Sequence, residues 1–484
     1  MTATLLCGEE TIEPQELERR VARAAGAIDA AGIGENDVVA LLLKNEPAYL
    51  EAMLACRRLG AYHCPINWHF KAEEAGFILR DSGAKLLVAD AALLPQVQAG
   101  LPAALRVASD WKSWREAHAP WTGPARAPRG NMPYTSGTTG RPKGVLRKPA
   151  SDTERKLALE LYRTALGLDP AMRSLLSAPL YHSAPNLYAL QVVLGGELLV
   201  LEPRFDAERT LALIQRHRLT HLYLVPTMYV RLLRLPADVR RRYDLSSVRF
   251  VSSTGSPCAP EVKRAMIEWW GPVINETYAS SETGHITFID SLDWLRHPGS
   301  VGRVHGNARL EILDDEGRER PPGEVGTIYV RQPAYPDFTY ANNPAARAAL
   351  ERDGLWSVGD VGYVDLEGYL YIADRRSDMV ISGGVNIYPA EIEAALLGMP
   401  GVADCAVFGV PDAEFGEALA AAVQPTPGAS LASHEIQSFL KGRIADYKVP
   451  KLIAFHEALP REDSGKIFKR LLREPYWREA GRRI

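Results

Sequence analysis

An α/β fold, with layered parallel sheets in a large body and a smaller α+β unit towards the C-terminus, is predicted by three observations. Residues 38–43 and 86–89 are apolar runs without alternation, which reads as strands buried on both faces, as in parallel sheets. Between and before them lie segments of helical spacing: Leu17, Val21, Ala24 and Ile28 follow one another at four, three and four residues, and Tyr49, Met53 and Cys56 share a face. Past about Arg309 the rhythm changes to short strands with tight turns. At 484 residues the chain exceeds what one hydrophobic core supports, so a second unit is expected.

In chain order, the first helix should end at Gly32, and strands 38–43 and 86–89 flank the second helix. From 111 to 129 periodicity is lost, and Pro120, Gly123, Pro124 and Pro128 predict a surface connection. Strands at 198–201, 221–225 and 249–252 predict a second βα layer. Strands at 310–313, 327–331, 363–365 and 369–373, joined by Asp-Asp-Glu-Gly and Leu-Glu-Gly turns, predict hairpins that form a small β-barrel over about residues 300–373. The order then becomes helix 389–397, strands 405–410 and 419–423, helix 434–445 and strand 452–455, a compact α+β unit. The expected division is 1–375 and 376–484.

Composition is that of an ordinary globular protein, 46% hydrophobic and 24% charged. A net charge of −3 gives no electrostatic reason for a nucleic-acid partner. The five cysteines, Cys7, Cys56, Cys64, Cys258 and Cys405, have neither zinc nor redox spacing and read as reduced thiols. No apolar run approaches the ~18 residues of a membrane span, and the first residues lack the pattern of a secretory signal. The expectation is a soluble cytoplasmic protein, monomer or homodimer.

Residues 134–145 read Tyr-Thr-Ser-Gly-Thr-Thr-Gly-Arg-Pro-Lys-Gly-Val. Gly137, Gly140 and Gly144 let backbone approach an anion, Thr135, Ser136, Thr138 and Thr139 offer hydroxyls, and Lys143 offers a point charge. A Walker loop is ruled out, because Pro142 stands where its second glycine would fall and Gly144 follows the lysine. A lone run of Ser, Thr and Gly is most often a surface turn, so twelve ordered positions carry the reading.

This stretch resembles the signature loop of the adenylate-forming superfamily of acyl-CoA synthetases, luciferases and peptide-synthetase adenylation domains, with acyl- and aryl-CoA ligases of bacteria the nearest match. The resemblance implies a large N-terminal domain, a mobile C-terminal one, and a loop that holds the β- and γ-phosphates of ATP. Residues 275–284, Asn-Glu-Thr-Tyr-Ala-Ser-Ser-Glu-Thr-Gly, resemble the second core motif. It implies that Tyr278 stacks on adenine beside Thr277, that Ser281 reaches a phosphate and that Glu282 coordinates Mg2+. Ala279 and Ser281 replace the usual Gly and Thr. Residues 252–257 resemble the adenine-binding loop, with Gly255 and Ser256 at its centre. Asp360 matches the ribose-binding aspartate, Arg375 the arginine that contacts ribose and phosphate, and Lys466, in Leu-Pro-Arg-Glu-Asp-Ser-Gly-Lys-Ile, the catalytic lysine.

For the second half-reaction the resemblance implies a CoA tunnel lined by Gly383 and Gly384, with Phe415 and Tyr447 near CoA, Lys448 for its phosphates and a hinge at Ser377, where Asp or Lys is usual. Tyr181-His182-Ser183 resembles the motif that abuts the acyl group, so the acyl pocket is expected to run from His182 past Tyr188, Tyr223, Pro226, Met228 and Ser280. The expected catalytic set is Lys466, His182 and Glu282, with ATP, Mg2+ and CoA. Residues 180–188 contain no acid that could bind a substrate amine, which disfavours amino acids. Tyrosines in the expected lining favour a hydroxylated aromatic acid of the feruloyl type. Three alternatives stand beside it: a medium- or long-chain fatty acid ligase, a luciferase-like monooxygenase that CoA-dependent AMP release without light would exclude, and a non-catalytic nucleotide-binding module.

Overall fold

The computed structural model of the chain describes residues 1–135, 142–256, 258–382, 385–412, 414–461 and 467–480. Two sheets form the body. In the four-stranded sheet the order is Tyr62–Pro65, Val38–Leu42, Leu86–Ala89 and Arg106–Ala108, every pair parallel. The seven-stranded sheet runs Ile274–Glu276, Phe250–Ser253, His221–Tyr223, Arg173–Leu176, Leu198–Leu201, Thr4–Cys7 and Glu10–Ile12, parallel except for the last pair. Val38–Leu42 and Leu86–Ala89 are buried at every position, which is why their sequences show runs and not alternation. Helices Pro14–Ala30 and Pro47–Leu59 both start on proline, whose fixed φ suits the first turn, and the second stops at Gly60 in the left-handed region, φ 66°. Their apolar faces, Leu17, Val21, Ile28 and Met53, share one core with Leu41 and Val88 of the smaller sheet and Leu175, Leu199 and Leu222 of the larger. Each such buried leucine stabilises the fold by about 2 kcal/mol.

The stretch 111–129 differs from its expectation. It opens with the helix Trp111–Glu116, capped by Asp110, whose carboxylate accepts from Ser113 N at 3.1 Å. The cause is tertiary: Trp111 Nε1 donates to Glu51 at 2.8 Å, and Arg115 pairs with the same buried carboxylate. Six residues are too few for a period to show in sequence.

The segment expected to form a small barrel is a six-stranded antiparallel sheet. Gly326–Arg331 is its centre, bordered by Arg309–Leu313, Leu355–Trp356 and Asp360–Val364, and Leu370–Arg375 pairs with the last of these. From residue 380 onward, Val402–Asp412 and Gly416–Pro425 form a long hairpin flanked by Val380–Ser382 and Leu452–Phe455. Helices Pro389–Leu397 and Ser433–Lys441 cover one face of it. The apolar clusters of this unit, built on Ile392, Val407, Leu419 and Leu440 and on Phe408, Ala420 and Leu472, contain no described residue from before 380.

One buried ion pair fixes the strand that leads into the site. Lys263 of helix Pro260–Trp270 and Glu276 of strand Ile274–Glu276 are 1% and 6% exposed, and their charged atoms are 2.6 Å apart. The ammonium also lies 5.0 Å from the Trp294 ring centroid. Removing one partner leaves a desolvated charge, so Lys263→Met should cost roughly 3–5 kcal/mol in urea unfolding, while Lys263→Met with Glu276→Leu should recover most of that. A single variant as stable as the wild type would show that the pair does not hold the strand.

Candidate active site

A cleft of about 3650 Å³ lies at the C-terminal ends of the parallel strands and extends to the C-terminal unit. Ligands collect at such strand ends, where the backbone leaves the sheet with unspent donors. Strand Phe250–Ser253 delivers Thr254, Gly255 and Ser256 to its wall, and Gly255 takes φ +97°, a conformation that favours glycine. Strand Ile274–Glu276 delivers Thr277 and Tyr278. Thr277 Oγ1 is buried without a hydrogen-bond partner among the described residues. Tyr278 Oη donates to Asp360 Oδ2 at 2.6 Å, and Asp360 Oδ1 lies 3.4 Å from Arg375 Nε. Burial, and then the Asp360 carboxylate, hold the Tyr278 phenol far above its ordinary pKa, so it stays a donor. Asp360 and Arg375 meet because they face each other across the antiparallel strands Asp360–Val364 and Leu370–Arg375.

Thr135 ends strand Tyr134–Thr135 directly opposite Lys143, which begins Lys143–Arg147. Ser136, Gly137, Thr138, Thr139 and Gly140 lie outside the described residues. A Cβ at Gly144 would come within 2.7 Å of Met132 Cε and 2.8 Å of the Tyr134 ring, so close strand packing requires glycine there. Glu282, 7% exposed, accepts from Thr135 Oγ1 at 2.9 Å and Tyr340 Oη at 3.0 Å. Lys143 Nζ is 5.2 Å from the Tyr340 ring. Among the described residues no group of three or more acidic, His or Cys side chains converges on a metal position. A single inner carboxylate beside Thr135 fits Mg2+, which takes one or two protein ligands and completes its shell with phosphate and water. Arg147, not singled out from sequence, braces this wall: it donates to the carbonyls of Pro336 at 2.7 Å, Ser281 at 3.0 Å and Glu282 at 2.5 Å.

Ser183 Oγ lies 2.8 Å from Ser281 Oγ, which joins the Tyr181-His182-Ser183 motif to the second core motif. His182 precedes helix Ser183–Gly195 and lines the cleft with Tyr223, Pro226 and Ser280. Tyr188 and Met228 do not line it. Tyr188 is fully buried in the core, its hydroxyl 3.1 Å from Ser174 Oγ, and Met228 is buried in the same core. Helical geometry is the reason: residues 183–187 of the first turn line the cleft, past it only Leu190, Gln191 and Leu194 do, and Tyr188 is turned about 100° from Leu187. The cleft is therefore leucine-lined along this helix, and its lining also includes Arg57, His63, Tyr162, His285 and Tyr335 from other elements.

His63 and His285 are buried, and burial lowers each imidazole to about 4. His63 Nε2 lies 3.1 Å from Asn186 Oδ1, and His285 Nδ1 lies 2.8 Å from Tyr335 Oη. Both are neutral when folded, whereas unfolded histidine titrates near 6.5. Below that value the unfolded chain binds more protons, so stability should fall between pH 6.5 and 4 and be insensitive to these groups above about 7. At pH 5 the loss is roughly 2 kcal/mol per histidine. Urea midpoints at pH 7.5 and 5 should differ less in His285→Gln than in the wild type; an equal drop would remove His285 as a cause.

On the C-terminal unit, Lys448 lines the cleft with its ammonium 2.6 Å from Glu391. Phe415 and Tyr447 are surface residues, with Lys451 Nζ 4.5 Å from the Phe415 ring. Gly383, Gly384 and Lys466 lie outside the described residues. Arg461 and Ile467, on either side of residues 462–466, bridge each other and line the cleft. Ser382 and Val385, which flank the two glycines, pair with each other and are not part of its lining. Ser377 sits in the turn after Arg375, where Asp378 N donates to Arg375 O at 2.9 Å.

Comparison with known proteins agrees with this geometry. Residues 3–335 match the AMP-binding enzyme family and 391–466 match its C-terminal domain. A feruloyl-CoA synthase from Amycolatopsis sp is 37% identical, with 94% of this chain and 92% of the relative covered. A long-chain-fatty-acid–CoA ligase of Mycobacterium tuberculosis is 34% identical, with 94% and 91% covered. The structure of O-succinylbenzoate coenzyme A synthetase from Bacillus subtilis in complex with ATP and magnesium ion superposes with a TM-score of 0.85 at 29% identity, over 97% of this chain and 96% of that one. With both family segments matched, and with Thr135, Lys143, Tyr278, Glu282 and Asp360 gathered in one cleft, the chain belongs to the AMP-binding enzymes.

Proposed function

We propose that this protein is an AMP-forming acid–CoA ligase that activates an aromatic carboxylic acid of the feruloyl type as its acyl-adenylate and then transfers the acyl group to CoA. The observation that carries the reading is the convergence of Tyr278, Asp360, Arg375, Thr135 and Glu282 on a cleft that also reaches the helix after His182. A carboxylate cannot be attacked by a thiol directly, because hydroxide leaves too poorly. Exchange for AMP on the α-phosphate of ATP creates a leaving group. Asp360 offers both carboxylate oxygens to a ribose, Arg375 offers a cation beside it, and Tyr278 presents a ring to adenine. Glu282 holds Mg2+, whose charge neutralises the phosphates. Thr135, Lys143 and the loop between them take the leaving pyrophosphate, and His182 borders the reacting carboxylate.

In this reading residues 1–375 form the adenylating domain and 376–484 a unit that brings Lys466 and later the Gly383-Gly384 loop to the same cleft. Phe415, Tyr447 and Lys448 serve CoA. The aromatic substrate is supported by the feruloyl-CoA synthase relative, and the leucines of helix Ser183–Gly195 keep a fatty acid as the second reading. The test is AMP release with CoA over a panel of hydroxycinnamic, benzoic and fatty acids. Turnover of ferulate at least tenfold above the fatty acids is expected. Activation of fatty acids alone would replace the substrate assignment, and ATP binding without pyrophosphate exchange would overturn the enzyme assignment.

A further inference from the structure

Where the acyl branch of the cleft leaves the adenylating residues, it meets a cation that nothing neutralises. Arg57 stands in the last turn of helix Pro47–Leu59 and lines the cleft together with Met53, His63, Tyr162 and Leu190. It is half-buried, and among the described residues its guanidinium has neither an ion pair nor a hydrogen bond. The contrast with its surroundings is clear, since Arg58 pairs with Glu18, Arg115 with Glu51 and Arg155 with Asp152. Burial lowers its pKa, Tyr162 beside it acts the other way, and the neighbouring Arg155 lowers it again, so the net shift is downward and the charge is under-compensated. Ser183 marks the adenylate end through its bond to Ser281, and Arg57 stands beside His63, whose imidazole meets Asn186 one turn further along the same helix.

We propose that Arg57 is a specificity-determining residue that donates to an oxygen acceptor at the end of the substrate remote from the activated carboxylate. The inference rests on the acid-activating reading of the site. A hydroxyl or methoxyl oxygen on an aromatic ring, or a second carboxylate, supplies the acceptor that the fold leaves out. A hydrocarbon end leaves the half-buried guanidinium unpaired, which disfavours that acid. Among the described residues Arg57 makes no hydrogen bond or ion pair with Thr135, Lys143, Tyr278, Glu282, Asp360 or Arg375, so its removal should alter which acid is chosen and leave the adenylating machinery in place.

The experiment measures adenylation kcat/KM for matched acids with and without the distal oxygen: para-hydroxycinnamate against cinnamate, and omega-hydroxyoctanoate and octanedioate against octanoate. In the wild type the oxygen-bearing member of each set should be preferred. In Arg57→Met, which keeps the apolar stem, that preference should fall about ten- to a hundredfold through the oxygen-bearing acid alone, with KM for ATP unchanged. Arg57→Lys should retain part of it. An equal fall for both members of a set would reduce Arg57 to a structural role, and an unchanged preference would exclude it from the pocket. If no aromatic acid is activated but the aliphatic set still responds to Arg57→Met, the aromatic reading fails and the assignment of Arg57 survives. If no acid of either set is activated, both fall.

Discussion

Lys466→Ala should abolish adenylation while leaving thioester formation from supplied acyl-AMP close to wild type. The two half-reactions make different demands. Charge develops on the α-phosphorus as the carboxylate attacks, and a cation placed there stabilises the transition state and nothing later. Loss of one such contact costs roughly 3–4 kcal/mol, or about 10²–10³ in rate. The flanks of the lysine support this role: Arg461, held by Asp404 at 2.6 Å, and Ile467 both line the cleft. Pyrophosphate exchange reports the first step, and CoA consumption with synthetic acyl-AMP reports the second. Parallel loss of both steps would assign Lys466 to folding or general binding.

The sequence was legible where one element obeys one rule. Val38–Leu42 and Leu86–Ala89 are strands buried on both faces, and their composition says so without help from distant residues. Thr277, Tyr278 and Glu282, singled out together from one short motif, reach the cleft together because they follow closely on the end of strand Ile274–Glu276. What failed depended on long-range contacts or on angle. Helix Trp111–Glu116 exists because Glu51, sixty residues earlier, receives both Trp111 and Arg115. Tyr188 follows the Tyr181-His182-Ser183 motif closely in sequence, yet one residue along a helix turns the side chain about 100°, and Leu187 lines the cleft in its place. Arg57 looks in sequence like a helix-terminal cation facing solvent. Only the fold sets it against Tyr162 and His63, from two other elements.

A difficulty in timing leads to the other large effect. In the proposed reaction, Lys466 and the Gly383-Gly384 loop, both within 376–484, are needed at one cleft in successive steps. In the present arrangement the flanks of Lys466 line the cleft, whereas Ser382 and Val385 do not, and Val385 is 45% exposed. One rigid placement cannot serve both, so the unit should turn about the segment 375–378. Among the described residues, polar contacts hold the present placement, and these suit such a turn. Arg376 N donates to Gly359 O at 2.7 Å, Arg376 pairs with Asp315 at 2.9 Å, Ala390 N donates to Asp374 Oδ2 at 2.9 Å, and Arg234 donates to Ala403 O. Polar interfaces of this kind permit domain motion. Proline at 377 would fix φ near −65° and bias Arg376 away from helical geometry, so the segment loses the freedom a hinge requires. The Ser377 N–H gives no backbone hydrogen bond among the described residues, so the substitution removes none of that kind. Ser377→Pro should therefore leave one half-reaction within about twofold of wild type and slow the other by at least about tenfold. Two rates measured separately decide it: if both remain intact, the pivot is not at Ser377 or the unit does not turn.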